Sequence, residues 1–190
     1  MNNGIKVCVG VPCPDFIRTR TVATLCSLVK RDPTIAIQIK QGCLVHKNRE
    51  EIVLDAIKMG GFSHLFFVDA DMCFSAEVLD RLISRNADII AAPYKYRNDS
   101  GDWVMLLTEK SNGHEKEIPK ELFRVYAAGT GCMLIKMSVF EKIPRPWFSF
   151  GLPEEQTGED IYFCRKARKA GFEIWVDPSV EVGHIGEKIY

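Results

Sequence analysis

The sequence has no excess of charge of either sign: 25 Lys plus Arg stand against 25 Asp plus Glu in 190 residues. It also has no basic run, which argues against a nucleic-acid groove or attachment to an anionic membrane surface. Any affinity for a charged ligand has to come from local placement. No apolar run approaches the roughly 20 residues that a spanning helix needs, and Met1 to Gly4 carry no charged-then-apolar leader pattern. The 7 cysteines are scattered without a C-x-x-C pair, which argues against a zinc cluster or a disulfide framework. Most of them read instead as small buried hydrophobes in a reducing compartment. There is no internal repeat and no low-complexity segment. The expectation from these absences is a soluble, cytoplasmic protein that does not bind nucleic acid and has no transmembrane segment.

What is present is ordinary for a globular chain, with 46% hydrophobic and 26% charged residues. The length suits one domain, taken as residues 1–190. Residues 5–11 (IKVCVGV) are short, apolar and β-branched, and read as a buried strand. Residues 21–30 place Val22, Leu25, Leu28 and Val29 on one helical face. Residues 34–40 (TIAIQIK) alternate as a second strand. Asn48, followed three residues later by Glu51, has the pattern of a capping box. It would open a helix that buries Ile52, Val53, Ala56 and Ile57 and stops at Gly60-Gly61.

Residues 64–68 form a continuous apolar run of the kind found in parallel sheets. Ser75 is placed to cap a helix, and residues 88–92 follow as a strand. This alternation predicts an α/β fold: a single layered domain with a mostly parallel central sheet flanked by helices. From Tyr94 the pattern is lost. Turn clusters at 98–101 and 111–113 bound an irregular excursion over 97–121, with residues 103–107 as one arm of a hairpin. Residues 123–128 and 132–136 return as strands around Gly129-Thr130-Gly131. Ser138 starts a short helix, Thr157 to Asp160 open another, and residues 172–176 form a last strand.

The stretch FFVDADM, residues 66–72, poses the functional question. A buried-looking strand ends in Asp69 and Asp71, and an unpartnered buried carboxylate is costly. Positions i and i+2 of an extended chain face the same side, and ligands of open α/β sheets bind beyond the carboxyl ends of the strands. Two converging carboxylates repel unless a cation neutralises them, and hard ions such as Mn²⁺ or Mg²⁺ suit their oxygens. The competing reading gives Asp71 a turn or helix to cap and Asp69 the loop amides to accept.

VDADM, together with the preceding KNREEIV, resembles the D-x-D segment of GT-A-fold glycosyltransferases of the family-2 type. AAGTGCMLIKMSVFEKI (127–143) is similar to the strand and loop that shape the sugar side in that family. TGEDIYFCRKARKAGFEIWVDPSVEVGHIG (157–186) resembles its E-D helix, final strand and metal-binding histidine. The resemblance covers residues 6–186 except the excursion. It implies a GT-A-type, Rossmann-like domain with Mn²⁺ or Mg²⁺ as cofactor and a UDP- or GDP-sugar as donor. The acceptor would be a saccharide, lipid or protein hydroxyl.

The resemblance also implies roles. Asp69, Asp71 and His184 would hold the metal, with Asp69 also touching the nucleotide. Asp160 would be the general base of an inverting displacement; its plainer reading is the last member of a capping box with Thr157. Pro12 would border the nucleobase, and Arg49 would lie near the nucleotide unless it is a solvated residue of the first helical turn. Gly129 and Gly131 would wall the sugar pocket, or simply make a tight turn. Trp147 and Phe148 are candidates for stacking on an acceptor sugar or for the core. Residues 149–158 form a candidate loop over bound donor. A non-catalytic nucleotide-sugar-binding module is the alternative on the same scaffold. A sugar-phosphate nucleotidyltransferase is the other alternative, but residues 10–20 lack the glycine-rich loop it would need.

Overall fold

The computed structural model describes residues 4–151 and 157–186. In chain order the elements are β1 (Val7–Cys13), α1 (Thr19–Arg31), β2 (Ala36–Gln41), α2 (Val45–Met59), β3 (His64–Val68), β4 (Met72–Cys73), α3 (Glu77–Ser84) and β5 (Ile89–Ala91). There follow β6 (Met105–Leu106), β7 (Phe123–Val125), β8 (Ala127–Ala128), β9 (Cys132–Lys136), α4 (Met137–Lys142), α5 (Glu159–Lys169), β10 (Ile174–Val176) and β11 (Gly183–His184).

The strands at the centre are buried on both faces, and their side chains sort by parity. Val7, Val9 and Val11 join Phe66, Val68, Ile90 and Leu134 in one core, closed by α1 and α3 through Leu25, Leu28, Leu79 and Leu82. Cys8, Leu65, Phe67, Ile89, Met133 and Ile135 form the other core, closed by α2, α4 and α5 through Ile52, Val53, Phe140, Phe163 and Ala167. A side chain at Gly10 would run into Ile52, so the glycine lets α2 lie close on the sheet.

The sheet has the order β2-β1-β3-β9-β5-β10-β7. Strands β1, β2, β3, β5 and β10 run one way, with β9 reversed between β3 and β5, and β7 reversed at the edge. This is the layered, mostly parallel sheet expected from the sequence. Two small antiparallel pairs, β4 with β11 and β6 with β8, sit beside it. No helix of the described residues is long and apolar enough to cross a membrane.

Several local expectations are corrected. Helix α2 begins at Val45, so Asn48 is not its N-cap; its side-chain amide turns back and donates to the Gly42 carbonyl at 2.8 Å. Ile57 and Val22 lie exposed rather than in the core. The residue 103–107 arm meets the rest of the excursion in a single bridge, Trp103 with Glu115, and its regular pairing is with β8, Met105 opposite Ala128. The single strand expected over 123–128 divides at Tyr126, one half joining the main sheet and the other β6. Helix α5 has Gly158 as its N-cap, without a side-chain cap, so Thr157 and Asp160 close no capping box. The loop expected to cover a donor falls largely on residues 152–156, outside the described residues.

Candidate active site

Strand β3 stops at Val68 and the chain turns, with the Met72 amide donating to the Asp69 carbonyl at 3.1 Å. The turn replaces the extended geometry that would have aimed Asp69 and Asp71 together. Both carboxylates border a cavity of about 270 Å³ that Pro12, Arg18 and Arg97 also line, at the carboxyl ends of β1 and β3. A larger groove of about 740 Å³ opens at the other end of the sheet, between α1 and α3, and holds none of the expected site residues.

Asp69 faces inward. Its Oδ1 accepts from Arg49 Nη2 at 2.7 Å, and Arg49 Nε lies 3.3 Å from Glu159 Oε1 at the start of α5. Arg49 is only 2% exposed, with its guanidinium over the Phe67 ring at 5.2 Å. It is therefore not the solvated first-turn residue. It is the counterion that lets an acid from a strand end and an acid from a helix start lie close together inside the protein. Burial by itself would lower the Arg49 pKa, but the two carboxylates outweigh it and keep the group charged. Its Nη1 is buried and has no hydrogen-bond partner among the described residues, and the same is true of Thr130 Oγ1. Buried polar atoms of this kind are normally satisfied, and neither residue lines the 270 Å³ cavity.

Asp71 faces the half-exposed Arg97, although its own side chain is the less exposed of the two acids, 18% against 28%. Its Oδ2 lies 2.7 Å from Arg97 Nη1 and 3.5 Å from His184 Nε2. His184 arrives from the far end of the chain because β11 pairs with β4, and the Ile185 amide donates to the Asp71 carbonyl at 2.8 Å. The other ring nitrogen, Nδ1, lies 2.8 Å from the Lys95 carbonyl oxygen. With Nδ1 donating to that carbonyl, Nε2 would donate to Asp71 when the ring carries both protons, and would offer its lone pair to a metal when the ring is neutral. Burial by itself would raise the Asp71 pKa, but the hydrogen bond and charge of His184, together with Arg97, hold it below the ordinary value.

Tyr94 joins the two sides. Its ring meets the His184 ring edge-on at 5.2 Å, and its hydroxyl accepts from the Gly131 amide at 3.0 Å. A side chain at Gly129 would clash with that hydroxyl, and a Cβ at Gly131 would come 2.7 Å from it and 2.9 Å from Asp69 Oδ2. The Gly131 carbonyl accepts from the Asp69 amide at 2.9 Å. The two glycines thus make room for Tyr94 and brace Asp69.

Asp160, in the first turn of α5, borders a small cleft with Gly129, Tyr96 and Ile161. Its Oδ1 accepts from the Ile161 amide at 2.7 Å. Burial, and next the Glu159 carboxylate, push its pKa up to about 6. A carboxylate with its pKa near neutrality is suited to proton transfer.

The expected stacking residues are not at the site. Trp147 is buried and its indole N–H donates to the Phe140 and Ile143 carbonyls, while Phe148 stacks on Phe163 at 4.9 Å. Glu50 accepts the amides of both, which ties the segment to α2. Two residues of the site, Tyr94 and Arg97, were missed by sequence reasoning. The run PYKYR after a strand end was their one visible signal.

The donor set for a divalent ion is partial. Asp71 and His184 fit one, as a carboxylate and an imidazole with its second nitrogen anchored. Asp69 has one oxygen committed to Arg49, and among the described residues no three ligating side chains are grouped to hold an ion.

No family model matches the chain, and no curated protein matches it. Solved structures do. One is A197 from STIV, 20% identical, with a TM-score of 0.70 over 96% of this chain and 87% of that one. Another is GalNAc-T7 crystallised with UDP, GalNAc and Mn²⁺, 15% identical, with a TM-score of 0.65 over 98% of this chain. The chain spans 45% of the latter's length. At these identities the likeness establishes the fold, which is GT-A-like.

Proposed function

We propose that the protein is a glycosyltransferase that moves a sugar from a nucleotide-diphosphate sugar to a hydroxyl acceptor, with inversion and with help from a divalent cation. The observation that carries this reading is the pairing of β4 with β11, which brings His184 beside Asp71 at the carboxyl end of β3. Asp160, with its pKa raised to about 6 at a separate small cleft, supports it, as does the likeness to a protein solved with UDP and Mn²⁺.

In this reading Asp71 and His184 hold the cation, and the imidazole favours Mn²⁺ over Mg²⁺. When bound, that ion stabilises charge on the diphosphate leaving group. Asp69, oriented by Arg49, contributes to the metal and nucleotide contacts, and the end of β1 at Pro12 borders the base. Gly129 and Gly131, packed on Tyr94, wall the sugar side. Asp160 takes the proton from the acceptor hydroxyl as its oxygen bonds to the anomeric carbon, while the bond from that carbon to the phosphate oxygen breaks and its electrons leave with the diphosphate. No step needs a covalent sugar–enzyme intermediate.

The test is release of nucleotide diphosphate from a panel of UDP- and GDP-sugars with Mn²⁺. Turnover is expected with at least one donor, rising with pH through about 6 as Asp160 loses its proton. Asp160→Asn should lower it by about 10²–10⁴-fold. If every donor binds but none turns over, the chain is the non-catalytic binding module, and the enzymatic reading fails.

A further inference from the structure

Arg97 stands in the irregular stretch after β5 and reaches across the mouth of the crevice. It bonds the same Asp71 oxygen that His184 faces. Asp71 is its one ion-pair partner among the described residues, and its side chain is 50% exposed. A Cβ at Gly186 would touch its stem at 3.5 Å, but nothing buries the guanidinium as Phe67, Asp69 and Glu159 bury that of Arg49. Arg97 also lines the 270 Å³ cavity together with Asp69 and Arg18. A guanidinium and a divalent ion on one carboxylate oxygen would repel each other across a few ångströms. The two cations therefore compete for Asp71.

We propose that Arg97 is a stand-in cation. It neutralises Asp71 until a divalent ion arrives, yields the carboxylate to it, and turns to the anionic phosphate oxygens of the nucleotide in the same cavity. The proposal rests on the metal-site reading given above. It follows that the ion alone binds weakly, because it must displace an ion pair. The ion and the nucleotide bind cooperatively, because the displaced arginine gains a new partner. Arg97 thereby opposes occupation of the site by metal without donor.

The experiment is Mn²⁺ binding, read by the electron paramagnetic resonance signal of free Mn²⁺, with and without UDP. It uses the wild-type protein, Arg97→Gln, Arg97→Ala and Asp71→Asn; the alanine variant guards against a glutamine amide replacing the guanidinium on Asp71. Both Arg97 variants should bind Mn²⁺ alone more tightly, by about two- to fivefold, the scale of a partly exposed ion pair. The tightening produced by UDP should shrink by a similar factor. Mn²⁺ binding that is no tighter in either variant overturns the proposal, as does an unchanged UDP effect. A different pattern marks failure of the underlying reading: no Mn²⁺ binding in any of these proteins even with UDP, or binding that persists in full in Asp71→Asn.

Discussion

Asp69 and Asp71 are separated by one residue, yet they sit in contrasting surroundings. Asp69 is paired on its inner side with an arginine that is 2% exposed and shared with Glu159. Asp71 is paired on its outer side with an arginine whose side chain is 50% exposed, and it faces a histidine brought in by a two-residue strand. A buried ion pair is costly to break, because the survivor is left without a partner. An exposed pair contributes little to stability and exchanges readily. The inner side therefore serves as a fixed frame, and the outer side as a place where cations can be traded.

The contrast can be broken most sharply at Arg49. Arg49→Met leaves Asp69, Glu159 and Asp160 close together without their cation. It should cost about 3 kcal/mol, or roughly 9 °C in Tm by calorimetry. Arg49→Lys should recover only part of this, since an ammonium cannot fork to two carboxylates. A loss below about 1 kcal/mol for the methionine variant would mean that the inner pair is no frame.

A second, smaller effect concerns Asp160 and has a defined sign. Its pKa is raised to about 6 in the folded protein, above the ordinary carboxylate value. The native state therefore binds more protons than the unfolded chain between about pH 4 and 6. Stability contributed by the protonated group is present at low pH and is lost as the pH rises through about 6. Asp160→Asn removes that loss, so it should match wild type near pH 4 and exceed it by about 2 kcal/mol above pH 6. Denaturation curves across this range check the trend, and a variant less stable at every pH would contradict it. The substitution that lowers turnover would thus raise stability, as expected of a group held in its environment for chemistry.

The smallest effect belongs to the outer side. Arg97→Gln should change stability by less than about 1 kcal/mol in the absence of metal. A large loss would make Arg97 part of the frame and erase the comparison.

The inner frame was partly legible in the sequence, and the outer side much less so. The buried runs of β1 and β3 and the stop of α2 at Gly60-Gly61 follow from local chemistry: β-branched apolar residues in the strands, and two glycines with positive φ. The acids, His184 and Asp160 were marked by motif. The start of α2 was misread because Asn48 has a capping pattern in sequence while its real partner, the Gly42 carbonyl, lies behind it on the chain. The reversed insertion of β9 between β3 and β5 leaves no trace in the alternation of strands and helices. Arg97 and Tyr94 sit in a stretch without periodicity, and their partners lie 26 and 90 positions away along the chain, at Asp71 and His184. Only the closing of the sheet brings those groups together.

The central claim is that Asp71 and His184 together take a divalent ion that Arg97 gives way to. Crystals grown with UDP and soaked in MnCl₂ test it most directly, through the anomalous signal of manganese. The account predicts a peak bridging Asp71 and His184 Nε2, with the Arg97 guanidinium moved off Asp71. A cavity filled by UDP with no manganese at those residues, and Arg97 still on Asp71, would contradict it.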